Sequence, residues 1–274
     1  MLLKSFTYNS ATIFYRITGT GNPVILLHGF GEDGEIWNNQ VEFLKAHFSL
    51  IIPDLPGSGK SALIADMSIE GMAAVIKEII SIEQQNFSVP AIVIGHSMGG
   101  YITLALAEKY PQLLQSFGLF HSSAFADSEE KKAARLKSIE FIQKNGAYEF
   151  LKTSLPGLFL RGQDGSKPSE PYPSEINTLV EKGSNFTPEA LVSYYQAMIA
   201  RPDRAVILKN APHPVLFIIG QYDKAVPFDQ SMQQCYLPEQ SYIHILRNSA
   251  HMGMLEEADK ANTYLLQFLQ GQHN

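Results

Sequence analysis

The run Pro90-Ala-Ile-Val-Ile-Gly95-His96-Ser97-Met98-Gly99-Gly100 constrains this chain more than any other stretch. A short apolar segment ends in Gly-His-Ser-Met-Gly, and Tyr101-Ile-Thr-Leu-Ala-Leu-Ala-Glu-Lys-Tyr continues with helical spacing. The pattern reads as strand, sharp turn, helix, with Ser97 at the apex. Such a turn strains the serine backbone and lifts its hydroxyl clear of the chain at the head of a helix. Strand and helix then pass so close that side chains at 95 and 99 would collide. Glycine stands at both positions.

The other elements follow by period. Residues 2–8 and 11–18 alternate apolar and polar around Asn9-Ser10, as a β-hairpin does. Continuous apolar runs at Val24–Leu27, Leu50–Ile52, Ala91–Ile94 and Phe117–Phe120 suit strands buried on both faces of a parallel sheet. Two more buried-type strands are predicted at Val215–Ile219 and Tyr242–Leu246. Helical spacing occupies about 35–47, 68–85, 98–110 and 254–270. Strand alternating with helix predicts an α/β fold: a doubly wound sheet with helices on both faces.

One region breaks this rhythm. From about 122 to 205 the sequence offers amphipathic helices and no buried strand: Ser128–Asn145, a short one near Tyr148–Ser154, Glu175–Lys182 and Pro188–Ala200. A Pro/Gly/Ser-rich loop at Gly162–Pro173 interrupts them. The expected organisation is a core of residues 1–121 and 206–274 with a helical insertion at 122–205.

At 274 residues with 45% apolar content, the chain is long enough for one large α/β domain carrying such an insertion. Net charge is -6 and the basic residues do not cluster, which argues against nucleic-acid binding. The single cysteine, Cys235, leaves no intrachain disulfide and reads as a packed, inert thiol. The N-terminus reads as a strand rather than a signal peptide, and no apolar run reaches the roughly 20 residues that cross a membrane. The expectation is a soluble, cytoplasmic protein whose partner is a small molecule, with no membrane attachment.

A serine hydroxyl is a weak nucleophile and needs a base, which in turn needs an orienting acid. In a doubly wound sheet such groups gather at the carboxyl ends of strands. Asp223 stands three residues past Val215-Leu-Phe-Ile-Ile-Gly220, and His251 follows the Tyr242 strand. Ser97 is therefore the expected nucleophile, His251 the base and Asp223 the acid, with Asp127 in reserve. Among the other histidines, His96 lies inside the turn with its ring directed away from Ser97. His244 and His213 read as packing and loop residues, and His47 and His273 as surface. His121 ends a strand and could border the pocket. His28-Gly29-Phe30-Gly31 follows the Val24–Leu27 strand, so the amides of Phe30 and Met98 are the expected donors to a developing oxyanion. The His28 ring is expected to anchor that loop.

A second glycine-rich loop is a decoy. Asp54-Leu-Pro-Gly57-Ser-Gly59-Lys60-Ser61 contains Gly-Lys-Ser after a strand, but a phosphate loop needs glycine where Asp54 stands.

Together His28-Gly29, Asp54-x-Pro56-Gly57-x-Gly59-x-Ser61, Gly95-x-Ser97-x-Gly99-Gly100, Gly220-x-x-Asp223 and His251 resemble the α/β-hydrolase superfamily over nearly the whole chain. The resemblance implies an eight-stranded, mostly parallel sheet with an α-helical cap inserted after the sixth strand. It implies no cofactor, and no metal-ligand spacing is present. Trp37 also resembles family members. Branches with an aspartate nucleophile do not match Ser97, and Gly31 replaces a proline that several of them carry. The implied activity is acyl transfer: a serine esterase acting on small to medium uncharged carboxylic esters. The alternatives are a C–C bond hydrolase or lyase, a perhydrolase or cofactor-free haloperoxidase, and a hydrolase-like small-molecule receptor. The expected pocket residues are Phe30, His121, Phe125 and Tyr195, and no Arg or Lys can be assigned from sequence as a carboxylate clamp.

Overall fold

The chain opens on a hairpin because two consecutive residues accept left-handed backbone. Asn9 and Ser10 have φ of 44° and 73°, as a two-residue hairpin turn requires. They join β1 (Leu2–Tyr8) to β2 (Ala11–Thr18), paired in antiparallel register from Leu2↔Ile17 to Tyr8↔Ala11. The computed structural model describes residues 1–87, 89–160 and 172–271.

After the hairpin come β3 (Pro23–Leu27), α1 (Asn38–Leu44), β4 (Ser49–Pro53), α2 (Ile69–Glu83), β5 (Ala91–His96), α3 (Met98–Lys109) and β6 (Leu114–Phe120). The later core elements are β7 (Val215–Gly220), α9 (Phe228–Gln234), β8 (Ser241–Leu246), α10 (Gly253–Glu256) and α11 (Ala258–Gly271). The sheet has eight strands in the order β1-β2-β4-β3-β5-β6-β7-β8. β2 meets β4 antiparallel, and every pairing from β4 through β8 is parallel. Strands β3, β4, β5 and β7 are buried at every residue, because helices cover both faces of the sheet. Trp37, fully buried, sets its ring edge-on to Phe120 at the end of β6.

Between β6 and β7 the described chain is helical: α4 (Glu129–Asn145), α5 (Ala147–Ser154), α6 (Pro173–Lys182), α7 (Pro188–Ala200) and α8 (Ala205–Lys209). Ser128 caps α4 by accepting from Lys131 N, and Thr187 caps α7 by accepting from Ala190 N. α4 packs against α5 and α7. The expected loop at 162–173 lies almost wholly outside the described residues, as does His273. Among the described residues, no helix is long and apolar enough to cross a membrane.

Three expectations need correction. β8 is not buried on both faces: it is the sheet's edge, five of its six residues are partly or fully exposed, and Ile243 is 38% exposed. The helix expected at 35–47 begins as a 3-10 turn at Gly34–Trp37, capped by Asp33. The last helix is two, because the chain breaks at Glu257 with an extended φ of -132° and ψ of 53°.

Candidate active site

The turn after β5 takes the strained form its glycines permit. Ser97 has φ 51° and ψ -114°, a region that L-residues rarely enter. Its amide donates to Phe120 O at 3.0 Å, and its carbonyl accepts from Ser122 Oγ at 2.7 Å. A Cβ at Gly95 would overlap the backbone of Gly99 and Gly100, and one at Gly99 would lie 2.5 Å from Leu27 O. The turn is thus locked from both sides with the Ser97 hydroxyl at the head of α3.

Parallel pairing brings the other two groups to the same end of the sheet. His251 Nε2 lies 2.9 Å from Ser97 Oγ, and its Nδ1 lies 2.8 Å from Asp223 Oδ2. The other Asp223 oxygen accepts from the amides of Ala225 and Val226 at 2.8 and 2.9 Å. Burial pushes the Asp223 carboxyl up, but the facing His251 and His121 outweigh it and hold the group well below the usual range. An ionised Asp223 fixes the proton of neutral His251 on Nδ1, leaving Nε2 free to accept from Ser97.

The loop after β3 faces this trio. His28 Nε2 accepts from Leu55 N at 2.9 Å, so its proton sits on Nδ1 and is donated to Gly29 O at 2.8 Å. Burial lowers the His28 pKa, consistent with a neutral anchor. Gly31 takes φ 70° as the chain turns away. The amides of Phe30 and Met98 have no backbone acceptor among the described residues. Met98 follows Ser97 in the chain, and a Cβ on Gly29, which precedes Phe30, would lie 3.2 Å from Ser97 Cβ; unpaired N–H groups on such a turn and loop are of the kind that can stabilise a tetrahedral oxyanion.

The family model for the alpha/beta hydrolase fold matches residues 22–258. The chain belongs to that family. The esterase of Thermogutta terrifontis is 25% identical, each structure covers all of the other, and the TM-score is 0.89. Two similar curated proteins are a 2-hydroxy-6-oxononadienedioate/2-hydroxy-6-oxononatrienedioate hydrolase of Burkholderia vietnamiensis and a pimeloyl-[acyl-carrier protein] methyl ester esterase of Vibrio vulnificus. The first is 24% identical, covering 94% of this chain and 90% of the relative. The second is 25% identical, covering 94% and 98%.

In this α/β hydrolase aromatic rings of the helical segment pack on Phe30. Phe30 stacks on Tyr195 at 4.3 Å between centroids and meets Phe150 and Tyr194 edge-on, both at 6.2 Å. Phe125 is half-buried, and its carbonyl accepts from Arg201. His121 does not border a pocket. Its φ of 47° folds it back under Asp223, where it is 1% exposed, and Nδ1 sits 3.3 Å from Asp223 Oδ2 and 3.1 Å from Gly220 N. Burial lowers its pKa to about 4, so the ring is neutral. Asp127 does not serve as a reserve acid. It binds Arg135 at 2.6 Å and Arg201 at 2.9 Å, which outweigh its burial and hold the carboxyl at about 2.

His121, Asp223 and His251 form the one cluster among the described residues whose ligand atoms lie close enough to hold a cation, within 4.8 Å of one another. In this geometry His251 spends both nitrogens on Ser97 and Asp223. The Asp54 loop is no phosphate cradle: Asp54 fills it, binding Arg16 at 2.7 Å and the amides of Gly34 and Lys60 at 3.1 Å. Cys235 is buried, which pushes its thiol up to about 12.

Three contributors escaped sequence reasoning. Glu256 accepts from Ala250 N and Met252 N, on either side of His251, and from Leu160 N in the helical segment. Burial pushes its carboxyl up to about 7 even against those donors. Arg135 lies over the Tyr195 face at 5.4 Å, and among the described residues only its Nε is hydrogen-bonded. Glu32 pairs with His96 behind the site. The signal for Glu256 was its place five residues after His251, where a carboxylate reaches back to loop amides. Arg135 and Glu32 carried no such local sign.

Proposed function

We propose that this α/β hydrolase is a serine esterase that cleaves carboxylic esters through an acyl-enzyme. The observation that carries the reading is the unbroken relay from Asp223 to His251 to Ser97, at 2.8 and 2.9 Å. Ser97 Oγ attacks the ester carbonyl as His251 Nε2 takes its proton. The carbonyl oxygen gains charge between the amides of Phe30 and Met98. The bond to the alcohol oxygen breaks, and His251 returns the proton to that leaving group. Water then attacks the acyl-enzyme along the same relay and frees Ser97. Similarity to an esterase from Thermogutta terrifontis and to a methyl ester esterase from Vibrio vulnificus supports this chemistry. Residues 122–205 act as the cap, with Phe150, Tyr194 and Tyr195 meeting Phe30 to give an apolar wall.

The test is fluorophosphonate labelling with peptide mapping, followed by a chain-length series of p-nitrophenyl esters. Modification of Ser97 alone, absent in Ser97→Ala, is expected together with ester turnover. Folded protein that neither labels nor turns over esters would sink the reading and favour a ligand receptor.

A second reading concerns substrate charge. Arg135 binds Asp127 through Nε at 2.6 Å, both of its terminal nitrogens lack a hydrogen-bond partner among the described residues, and its guanidinium lies 5.4 Å from the ring of Tyr195, which stacks on Phe30. This favours an ester bearing a carboxylate over a wholly uncharged one. Esters of equal length with and without a terminal carboxylate decide it: Arg135→Gln raises KM for the acidic ester alone if the reading holds.

A further inference from the structure

The ring of His96, fully buried in the turn, faces hydrogen-bond acceptors at both ends. Nδ1 lies 3.0 Å from Glu32 Oε2, and Nε2 lies 3.0 Å from the carbonyl oxygen of His251. A carbonyl cannot donate, so Nε2 carries a proton. The same Glu32 oxygen accepts from Gly29 N at 2.8 Å, which favours a carboxylate over a hydroxyl there. A carboxylate cannot donate either, so Nδ1 also carries a proton. Only the imidazolium has both.

We propose that His96 is a standing imidazolium paired with Glu32, and that this buried pair is a brace joining the base to the oxyanion loop. The brace runs from Gly29 N, next to Phe30, through Glu32 and His96 to the main chain of His251. Both residues are positioning residues: neither reaches the reacting atoms. Burial alone would neutralise both groups, but each outweighs that cost for the other, raising the His96 pKa and lowering that of Glu32.

The pair also has an electrostatic consequence. The His96 and His251 ring centroids are 4.9 Å apart, so a cation stands beside the group that must take a proton from Ser97. The other titratable groups facing this pair are Asp223 after β7, neutral His121 after β6 and neutral His28 after β3, the last near Glu32. Trp37 and Phe120 cover the His96 ring with edge contacts at 6.4 and 6.1 Å. Among these neighbours His96 is the one cation.

The inference uses the proposed roles of Ser97 and His251 only in its kinetic arm. The first arm is nitrogen-15 NMR of histidine-labelled protein at pH 8, which needs no activity. His96 is expected to show two protonated ring nitrogens in the parent and one in Glu32→Gln. A neutral His96 in the parent overturns the proposal. The second arm is the pH profile of kcat/KM for an ester that the parent turns over. Glutamine keeps an acceptor for Gly29 and removes the charge, so the acid limb of the Glu32→Gln profile is expected to shift from the parent's. An unmoved limb in folded Glu32→Gln also overturns the proposal. If that variant does not fold, the parent spectrum alone decides. Absence of ester turnover in the parent bears on the proposed function and leaves the NMR arm standing.

Discussion

Asp223 meets His251 with one oxygen and its own loop with the other. Oδ2 lies 2.8 Å from His251 Nδ1, while Oδ1 is pinned by the amides of Ala225 and Val226. The carboxylate therefore cannot turn without losing two hydrogen bonds, and the His251 tautomer is set by a rigid partner. Asp223→Asn keeps the shape but offers an amide N–H or a neutral oxygen to Nδ1. The expected result is a kcat loss of roughly 10³- to 10⁴-fold with a far-UV spectrum like the parent's. A loss below tenfold on an ester substrate would show that Asp223 does not orient the base.

Glu256 holds the loop that carries His251. Glu256→Ala leaves the amides of Leu160, Ala250 and Met252 without their carboxylate acceptor. The expected cost is about 3 kcal/mol of stability, near one for each orphaned donor, with a lower kcat as His251 loosens. Urea denaturation and steady-state kinetics on one preparation check both effects.

Gly99 tests the closeness of α3 to β3. An added methyl would stand 2.5 Å from Leu27 O and 2.7 Å from His28 O, both backbone atoms that cannot swing aside. Gly99→Ala is expected to cost about 2 kcal/mol or more and to slow fluorophosphonate labelling, because the Phe30 loop must move. Unchanged melting temperature and labelling rate would contradict the close approach.

Asp127 gives a pH window. Its carboxyl falls from an ordinary 3.8 to about 2 in the folded protein. A depressed carboxyl stabilises the fold fully above its unfolded value, and the gain is lost as pH falls through the folded one. Stability should therefore drop between about pH 4 and pH 2, by about 2 kcal/mol from this group. Asp127→Asn should remove that part of the acid dependence, read as melting temperature against pH.

The histidines show where sequence reasoning stops. Gly95, Ser97 and Gly99 announce their turn because strand, turn and helix are local events with local residue requirements. Asp223 and His251 could be found because each follows a buried strand, and parallel pairing carries all strand ends to one edge. His121 also follows a buried strand, by the same rule, yet it lies under Asp223. A left-handed φ at one residue decided that, and neither neighbour of His121 in the chain is glycine or otherwise marks it.

The sequence by itself determined the order of the eight strands along the chain, the longer helices between them, the strained serine turn and the candidates Ser97, Asp223 and His251. These rest on period, turn chemistry and position after a strand, all readable within a few residues. The tertiary structure alone decided that β8 is an edge, that Asp127 serves Arg135 and Arg201, and that Glu32 finds His96 across 64 residues of chain. Burial made those choices. A charged group removed from water must take whichever partner packing brings within reach, and sequence separation does not say which one that is.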